Sequence, residues 1–253
     1  MTGYSFGDTD LAAERLRVLD AVFAPTTDAL LGEIALTPAR IADLGCGPGA
    51  TTARLVARFP AATVTGVDAS DAFLAAARDA VPEATFVAAD VTQPLPRVPY
   101  DLVYARFLLA HLPDIGAAIR SWTSALAPGG VLALEETEHI SSADPWFARY
   151  EALSYGRVAS AGAHVYAGTD ITAGIPAHVD VVVDRVIELD LTAGEAAGMF
   201  WRNLATWGPA AVDQGLITEP DRAALLDHLH DRVADPARGL FTWTHHQTVL
   251  RAG

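Results

Sequence analysis

The sequence predicts an α/β fold in which strands and helices alternate along one sheet. Short apolar runs, helical apolar spacing between them, and polar residues where the runs end favour this class. The runs that we interpret as the first five strands are 41–44, 62–67, 85–89, 100–104 and 131–136. Segments between them, such as 50–59, place apolar residues at the spacing of a helix. Five successive strand–helix units predict a parallel sheet with its ligand along one edge.

The first strand leads into a turn that contains Gly45, Gly47 and Gly49, and a predicted helix follows the turn. Because glycine has no Cβ, a ligand can approach the backbone of such a turn closely. The amino end of a helix also favours phosphate-like or carboxylate groups. The arrangement predicts a nucleotide site in a Rossmann-like sheet. A chance turn between a strand and a helix remains an alternative, since three glycines alone are a weak signal.

Acidic residues follow the next two strands. Asp68 ends the run 62–67, at the position where a carboxylate can accept hydrogen bonds from both ribose hydroxyls. Asp68 could instead cap the next helix, but Ser70 is better placed for that role. Asp90 ends the third run and could instead be a turn residue before Pro94.

Four motifs in order resemble those of the class I S-adenosylmethionine (SAM)-dependent methyltransferases. They are Asp43–Gly49, Asp68, Asp90 and Leu126–Gly130, within about residues 38–136. More loosely, Tyr4–Gly7 and Glu14–Leu16 are similar to the amino-terminal signature of a group of bacterial small-molecule methyltransferases. The resemblance implies methyl transfer from SAM to an oxygen, nitrogen or carbon of a small molecule in secondary metabolism, with S-adenosylhomocysteine as the product.

The resemblance also implies a set of cofactor-binding residues. The glycine turn would face the amino-acid end of SAM, Asp68 the ribose, and Asp90 the adenine amine. Arg15 could pair with the SAM carboxylate or could simply be a solvated helix arginine. The full set of expected cofactor residues is Tyr4, Arg15, Asp43, Gly45, Cys46, Gly47, Asp68, Ala69, Asp90, Val91, Arg106 and Phe107.

The flanking segments complete a seven-stranded, mostly parallel sheet with helices on both faces. Residues 1–37 are predicted to form a helical cover over the cofactor, with helices at 10–23 and 27–36. Residues 137–178 are too long for a plain crossover, so we interpret them as a lid. Strand six is predicted at 179–191 and an antiparallel last strand at 240–250. We interpret all 253 residues as a single domain.

The residues that would act on the acceptor are less specifically marked. Methyl transfer from a sulfonium is an in-line displacement, so the protein mainly orients the nucleophile. His111 and Glu136, which follow strands four and five, are the candidate catalytic residues. Each could instead be structural, as a packed histidine or a solvated strand end. The lid interpretation predicts an acceptor cavity lined by Tyr150, His164, Tyr166 and Trp201, although such aromatics are also common in cores.

Composition excludes several classes of function. The formal charge of −14 argues against a nucleic-acid acceptor. All 17 basic residues are Arg, which excludes Schiff-base and P-loop enzymes that need a lysine. The single cysteine and the splayed pairs His228/His230 and His245/His246 argue against a disulfide framework and a metal site.

The sequence lacks a signal-like start and a long apolar run, so we expect a soluble, cytoplasmic protein with no membrane partner, as a monomer or homodimer. Three alternatives to methylation remain. The first is a SAM fold that catalyses a rearrangement without methylation, and the second is a binding or partner protein that does not catalyse. The third, an NAD enzyme, is disfavoured because the turn reads Gly-x-Gly-x-Gly.

Overall fold

The computed structural model describes residues 10–160 and 164–253. Its seven strands form one sheet in the order β3-β2-β1-β4-β5-β7-β6. The strands are β1 (Arg40–Leu44), β2 (Thr63–Asp68), β3 (Thr85–Ala88), β4 (Tyr100–Arg106), β5 (Leu126–Ser142), β6 (Val179–Leu191) and β7 (Phe241–Ala252). The first five pair in parallel, and β7 runs antiparallel to both β5 and β6. The predicted Rossmann-like sheet with an antiparallel last strand is confirmed.

Eight α-helices surround the sheet in the described part of the chain. They are α1 (Asp10–Glu33), α2 (Ala50–Arg58), α3 (Asp71–Ala80), α4 (Ile115–Ser124), α5 (Pro145–Ser160), α6 (Ile171–Gly174), α7 (Ala193–Asp213) and α8 (Glu219–Asp231). Polar residues fix several of their starts. Ser70 accepts a hydrogen bond from the Phe73 amide at α3, as predicted, and Asp114 does the same for Ala117 at α4. Thr192 and Glu195 form a reciprocal capping box at α7.

Successive side chains of a strand point to opposite faces of the sheet, and here both faces carry buried apolar side chains. Helices therefore cover both faces of the sheet. Ile41 and Leu102 lie in one buried cluster with residues of α1 and α2. Their chain neighbours Ala42 and Val103 lie in another, together with Trp122 of α4. A further cluster joins α5, α7 and α8 to the middle of α1 and to the ends of β5 and β7. This last cluster places the helices of the carboxyl-terminal half beside the carboxyl ends of the strands.

Two elements are longer than predicted. β5 was expected to end at Glu136, but it continues to Ser142 because its polar extension pairs with β7. The two predicted amino-terminal helices are a single helix, α1, which runs through Pro25. The interpretations of 1–37 as a cover, of 137–178 as a lid, and of the chain as one domain stay predictions. Within residues 10–160 and 164–253, no helix has both the length and the apolarity that crossing a bilayer requires.

Candidate functional site

The glycine turn after β1 has a backbone that favours glycine at three positions. Gly45, Gly47 and Gly49 have φ values of 63°, 52° and 92°, in the left-handed region that other residues rarely adopt. The amides of Gly45 and Cys46 donate to the Val67 carbonyl of β2, at 2.8 and 3.1 Å. The turn is therefore held against the end of the neighbouring strand, as a backbone cradle at the carboxyl edge of the sheet.

Asp68 ties the end of β2 to this turn. Its Oδ2 accepts from the Gly47 amide at 2.9 Å, and its Oδ1 accepts from the Ser70 amide at the same distance. Each carboxylate oxygen can accept a second hydrogen bond. Asp68 can thus hold the turn and still accept from the two hydroxyls of a ribose, which fits its predicted role.

Asp43 supports the turn from within the protein. Its Oδ2 accepts from the hydroxyls of Thr51 and Thr52 in the first turn of α2, at 2.7 and 2.5 Å. Burial raises the pKa of Asp43 to about 6, against the effect of the two threonine hydroxyls. The Asp43 carboxylate joins β1 to α2. These contacts therefore stabilise the shape of the glycine turn between the two elements.

The predicted cofactor residues that follow β2 and β3 lie at the carboxyl edge of the sheet. Asp90 is largely exposed, and its Oδ1 accepts from the amide and hydroxyl of Thr92, at 2.9 and 2.6 Å. Val91 is buried, and its carbonyl accepts from the Trp122 indole at 2.9 Å. Ala69 is exposed beside Asp68. Asp68 and Asp90 therefore follow adjacent parallel strands at the same edge of the sheet, which the ribose and adenine assignments require.

Helix α1 lies over the glycine turn. A Cβ built on Gly47 would lie 3.4 Å from Leu16 Cδ1, and Ala12 and Ala13 pack with Phe73 of α3. Arg15, from the same turn of α1, is buried. The interpretation of residues 1–37 as a cover over the cofactor stays a prediction. The predicted contact of Tyr4 falls outside the described residues.

Arg106 and Phe107, at the end of β4, contact α1. The Arg106 guanidinium donates to Asp20 at 2.7 Å and to Thr27 at 3.0 Å. The ring of Phe107 meets Phe23 edge-on, with 4.9 Å between centroids. Both predicted cofactor residues thus contact α1, and their predicted direct contact with SAM stays a prediction.

A buried polar network behind this contact was missed in the sequence. Glu135 accepts from Tyr104 at 2.5 Å, and from His245 and Gln247 at 2.8 Å each. Burial opposes ionisation of Glu135, but the hydrogen bond and charge of His245, with Arg106, outweigh it and lower its pKa to about 2. The even spacing of His245 and Gln247 on a predicted strand was the available signal, because it places both on one face.

Glu136, a predicted catalytic residue, lies on the opposite face of β5. One carboxylate oxygen accepts from the amides of Leu108 and Leu109, at 2.7 and 2.6 Å. Burial raises its pKa to about 8, although these amides act against the shift. The contacts give Glu136 a role in holding the loop after β4. Its predicted catalytic role stays a prediction.

His111, the other predicted catalytic residue, ends a short 3-10 turn, Leu109–His111, in the same loop. Burial and the nearby charge of Arg15 lower the pKa of His111 to about 4. The imidazole is therefore neutral near pH 7 and is a weak base there. Its predicted catalytic role stays a prediction.

The four predicted acceptor residues occupy different surroundings. Tyr150 of α5 is buried and accepts from the Asn203 amide of α7 at 2.8 Å. Tyr166 hydrogen-bonds to Glu151, and its ring meets Tyr155 edge-on. His164 lies 3.7 Å from Asp170, with both side chains about half exposed. Trp201 lies against His230 of α8, with ring centroids 5.3 Å apart.

In the described ranges, each histidine that contacts a carboxylate contacts one or two of them. His228 lies 3.3 Å from Asp144, and His246 lies between Glu138 and Asp184 at 3.0 and 2.6 Å. Among residues 10–160 and 164–253, no group of three or more His, Cys, Asp or Glu side chains could hold a metal ion.

The sheet order, the glycine turn and the two acidic strand ends define the class I SAM-dependent methyltransferase fold. Residues 41–130 match the family model described as a methyltransferase domain. This confirms the resemblance found in the sequence.

Curated relatives of this chain carry methyltransferase names. Trans-aconitate 2-methyltransferase of Methylobacterium nodulans is 38% identical over 157 residues, which cover 58% of this chain and 61% of that protein. The chain thus spans about three fifths of the length of the curated relatives it matches.

In three dimensions, a methyltransferase-like structure from Bacillus halodurans has a TM-score of 0.60 at 16% identity, over 89% of this chain and 98% of that one. The (4+2)-cyclase SpnF has a TM-score of 0.56 at 18% identity, over 90% and 81%. At these identities the two structures share the fold.

Proposed function

We propose that this protein transfers a methyl group from SAM to an oxygen of a small carboxylic acid. The observation that carries the proposal is the double contact of Asp68, which holds the glycine turn and keeps acceptor capacity toward a ribose. The chemical class of the acceptor is supported by the relatives named trans-aconitate 2-methyltransferase. SAM, when bound, supplies a methyl group on a positively charged sulfur, and the sulfur keeps the bonding electron pair when the methyl group leaves.

The residues around the glycine turn suit this cofactor. The turn places backbone amides at the amino end of α2, Asp68 offers a carboxylate to the ribose, and Asp90 offers one to the adenine amine. Leu16 of α1 and Leu108 after β4 lie next to the turn and would exclude water from the reacting groups.

The hydrogen bonding of Glu136 and the pKa of His111 also fit a carboxylate nucleophile, which needs no general base. A carboxylic acid with an ordinary pKa is ionised near pH 7, so no proton has to be removed during methylation. Glu136 is already engaged by the loop amides, and His111 has a pKa of about 4. The role of this protein is then to orient the acceptor, which can supply roughly 7–11 kcal/mol of the barrier reduction.

The setting of the reaction follows the sequence-based expectations. The Ala- and Arg-rich, lysine-free composition supports a bacterial origin, and we retain the cytoplasm and secondary metabolism as the proposed setting. A monomer or homodimer is retained as well.

The test is calorimetric titration of the protein with S-adenosylhomocysteine, alongside Asp68→Ala and Asp68→Asn. Loss of a charged partner to two ribose hydroxyls is expected to weaken binding by about 100-fold in the alanine variant. Asp71→Ala is the matched control, because Asp71 is a nearby carboxylate that is exposed at the start of α3.

A circular-dichroism melt of each variant separates loss of binding from loss of folding. The wild-type protein is then incubated with SAM and trans-aconitate, and a methyl ester is sought by mass spectrometry. Absence of any binding heat from the folded wild-type protein refutes the proposal. Turnover that continues when S-adenosylhomocysteine replaces SAM would mean that the reaction is not methylation.

A further inference from the structure

Three helices enclose a buried polar cluster beside the glycine turn. We call it the helix-junction patch, and every member is less than one tenth exposed. Its members are Arg15 of α1, Tyr150 and Ser154 of α5, and Asn203 and Trp207 of α7. The surrounding cluster is otherwise apolar, so these polar groups are exceptions that need an explanation.

The spacing of these residues directs them to one place. Tyr150 and Ser154 are four residues apart on α5, and Asn203 and Trp207 are four apart on α7, so each pair shares a helix face. The two faces meet, because the Asn203 amide donates to the Tyr150 hydroxyl at 2.8 Å. The rings of Tyr150 and Trp207 are 6.1 Å apart.

The polar atoms of the patch that have no hydrogen-bond partner among the described residues include Oδ1 of Asn203 and Nε1 of Trp207. Rotation of the Asn203 amide exchanges its oxygen and nitrogen, so this residue can present either an acceptor or an N–H donor. A buried donor without a partner is costly to a folded protein. Two buried polar groups without a partner on one helix face indicate that a ligand completes them.

Two arginines lie on the helices that form the patch. Arg15 of α1 is buried, and its charge acts on both the Tyr150 hydroxyl and the His111 imidazole. Arg157 lies one turn beyond Ser154 on α5 and is half-buried. In a chain with a net charge of −14, arginines near a buried cluster of indole, amide and hydroxyl donors favour a carboxylate ligand.

The patch is next to the carboxyl edge of the sheet that carries the glycine turn, Asp68 and Asp90. We call this region the cofactor edge. Arg15 adjoins Leu16, whose Cδ1 is 3.4 Å from the Cβ position of Gly47 in the glycine turn. A carboxylate held by Arg15 would therefore lie at the end of the cofactor site where the glycine turn faces the amino-acid part of SAM.

We propose that the helix-junction patch binds one carboxylate of an acyclic di- or tricarboxylate acceptor, and so presents a second carboxylate of the same molecule to the methyl group. This inference rests on the proposed function. It assigns acceptor binding to Ser154, Asn203 and Trp207 in addition to the predicted Tyr150. It also moves Arg15 from its expected pairing with the SAM carboxylate to the acceptor carboxylate. The methyl carbon forms a bond to the presented oxygen as its bond to sulfur breaks, and no proton is released.

The experiment uses the full-length protein saturated with S-adenosylhomocysteine, so that cofactor and acceptor binding are measured separately. The probes are trans-aconitate, citrate and the uncharged trimethyl ester of trans-aconitate, titrated by calorimetry. We expect an acid to bind at least about 10-fold more tightly than the ester, since charge-assisted hydrogen bonds are lost in the ester.

Two conservative variants locate the binding site. Asn203→Leu removes the amide at similar size, and Trp207→Phe removes the indole N–H and keeps the ring position aromatic. Each is expected to weaken acid binding by about 10-fold and to leave affinity for S-adenosylhomocysteine unchanged. Thr206→Val is the matched control, because that hydroxyl donates to the Arg202 carbonyl within α7.

The outcomes separate the two proposals. If both variants bind the acids as the wild type does, the patch assignment is overturned while the proposed function stands. If S-adenosylhomocysteine binds but neither acid binds, the patch assignment is overturned together with the carboxylic-acid acceptor, and only SAM binding is retained. If the ester binds as tightly as the acid, the ligand is not selected by charge and the inference is wrong. If S-adenosylhomocysteine itself does not bind, the proposed function fails first.

Discussion

The cofactor edge and the helix-junction patch are built in contrasting ways. The edge comes from one continuous stretch of about fifty residues between β1 and the end of β3, and its carboxylates already have partners within the protein. The patch combines residues from positions 15 to 207, and two of its polar atoms lack a partner. The edge is formed by the chain alone, whereas the patch is completed by a ligand.

Helix α1 is the element that connects these two regions. Leu16 packs on Gly47 at the edge, and Arg15 belongs to the patch. One turn later, Asp20 accepts from both Arg54 of α2 and Arg106 of β4, at 2.7–3.0 Å. The position of α1 therefore depends on a largely buried ionic contact, which gives the most direct way to disturb both regions together.

The largest effect is expected from Asp20→Ala. The Arg106 side chain is only 5% exposed, so the variant leaves a buried cation without its carboxylate, and we expect the free energy of unfolding to fall by about 3 kcal/mol. Urea unfolding measures this loss, and titration should show weaker binding of both S-adenosylhomocysteine and acceptor.

The matched control is Asp28→Ala, which removes the exposed partner of the same Arg54 and should change stability by less than about 1 kcal/mol. Equal losses in the two variants would contradict the anchoring role of Asp20.

An intermediate effect is expected from Glu136→Gln, as a change in pH dependence. The pKa of Glu136 is raised to about 8, so the folded state binds more protons than the unfolded state between the usual pKa of about 4.5 and pH 8. Stability from this group is present below pH 4.5 and is lost as pH rises to 8, by up to about 1.4 kcal/mol per unit.

The Gln variant keeps an acceptor for the amides of Leu108 and Leu109 but cannot ionise. Urea unfolding at several pH values should therefore show the difference between variant and wild type growing with pH in favour of the variant. Glu135, on the other face, acts with the opposite sign, because its lowered pKa stabilises the fold above about pH 4.5. A constant difference across this range would show that Glu136 is ionised throughout.

The smallest effect is expected from Ser70→Ala at the cofactor edge. Loss of the side-chain cap on the Phe73 amide should lower the free energy of unfolding by about 1 kcal/mol, whereas Ser70→Gly should cost only a few tenths. The Ser70 amide that donates to Asp68 is kept, so affinity for S-adenosylhomocysteine should not change. A marked loss of affinity would mean that the hydroxyl, too, serves the cofactor.

The sequence predicted the cofactor half of the fold because its signals are local. Strand runs, the glycine turn and the acidic residues at strand ends fall in one contiguous segment. Outside that segment, β6 also matches its predicted range of 179–191. The continuation of β5 to Ser142 was missed because residues 137–142 are largely polar and become a strand only by pairing with β7.

The acceptor half was harder to predict because it depends on how helices meet. The four-residue spacing of Asn203 and Trp207 was visible, but nothing in the sequence indicates that this face meets Tyr150 of α5. Trp201 illustrates the same difficulty, since an aromatic expected at the acceptor lies against His230 of α8. The directions of these side chains are set by tertiary packing.

Cys46 gives the glycine turn a built-in reporter. Its thiol is the only one in the sequence, is 3% exposed, and packs with Phe86 beneath the turn. Burial raises the pKa of this thiol, so a disulfide reagent in solution can reach a reactive thiolate only when the turn opens. The rate at which the reagent labels Cys46 under native conditions therefore reports how often the glycine turn opens locally, and no cysteine has to be introduced for the measurement.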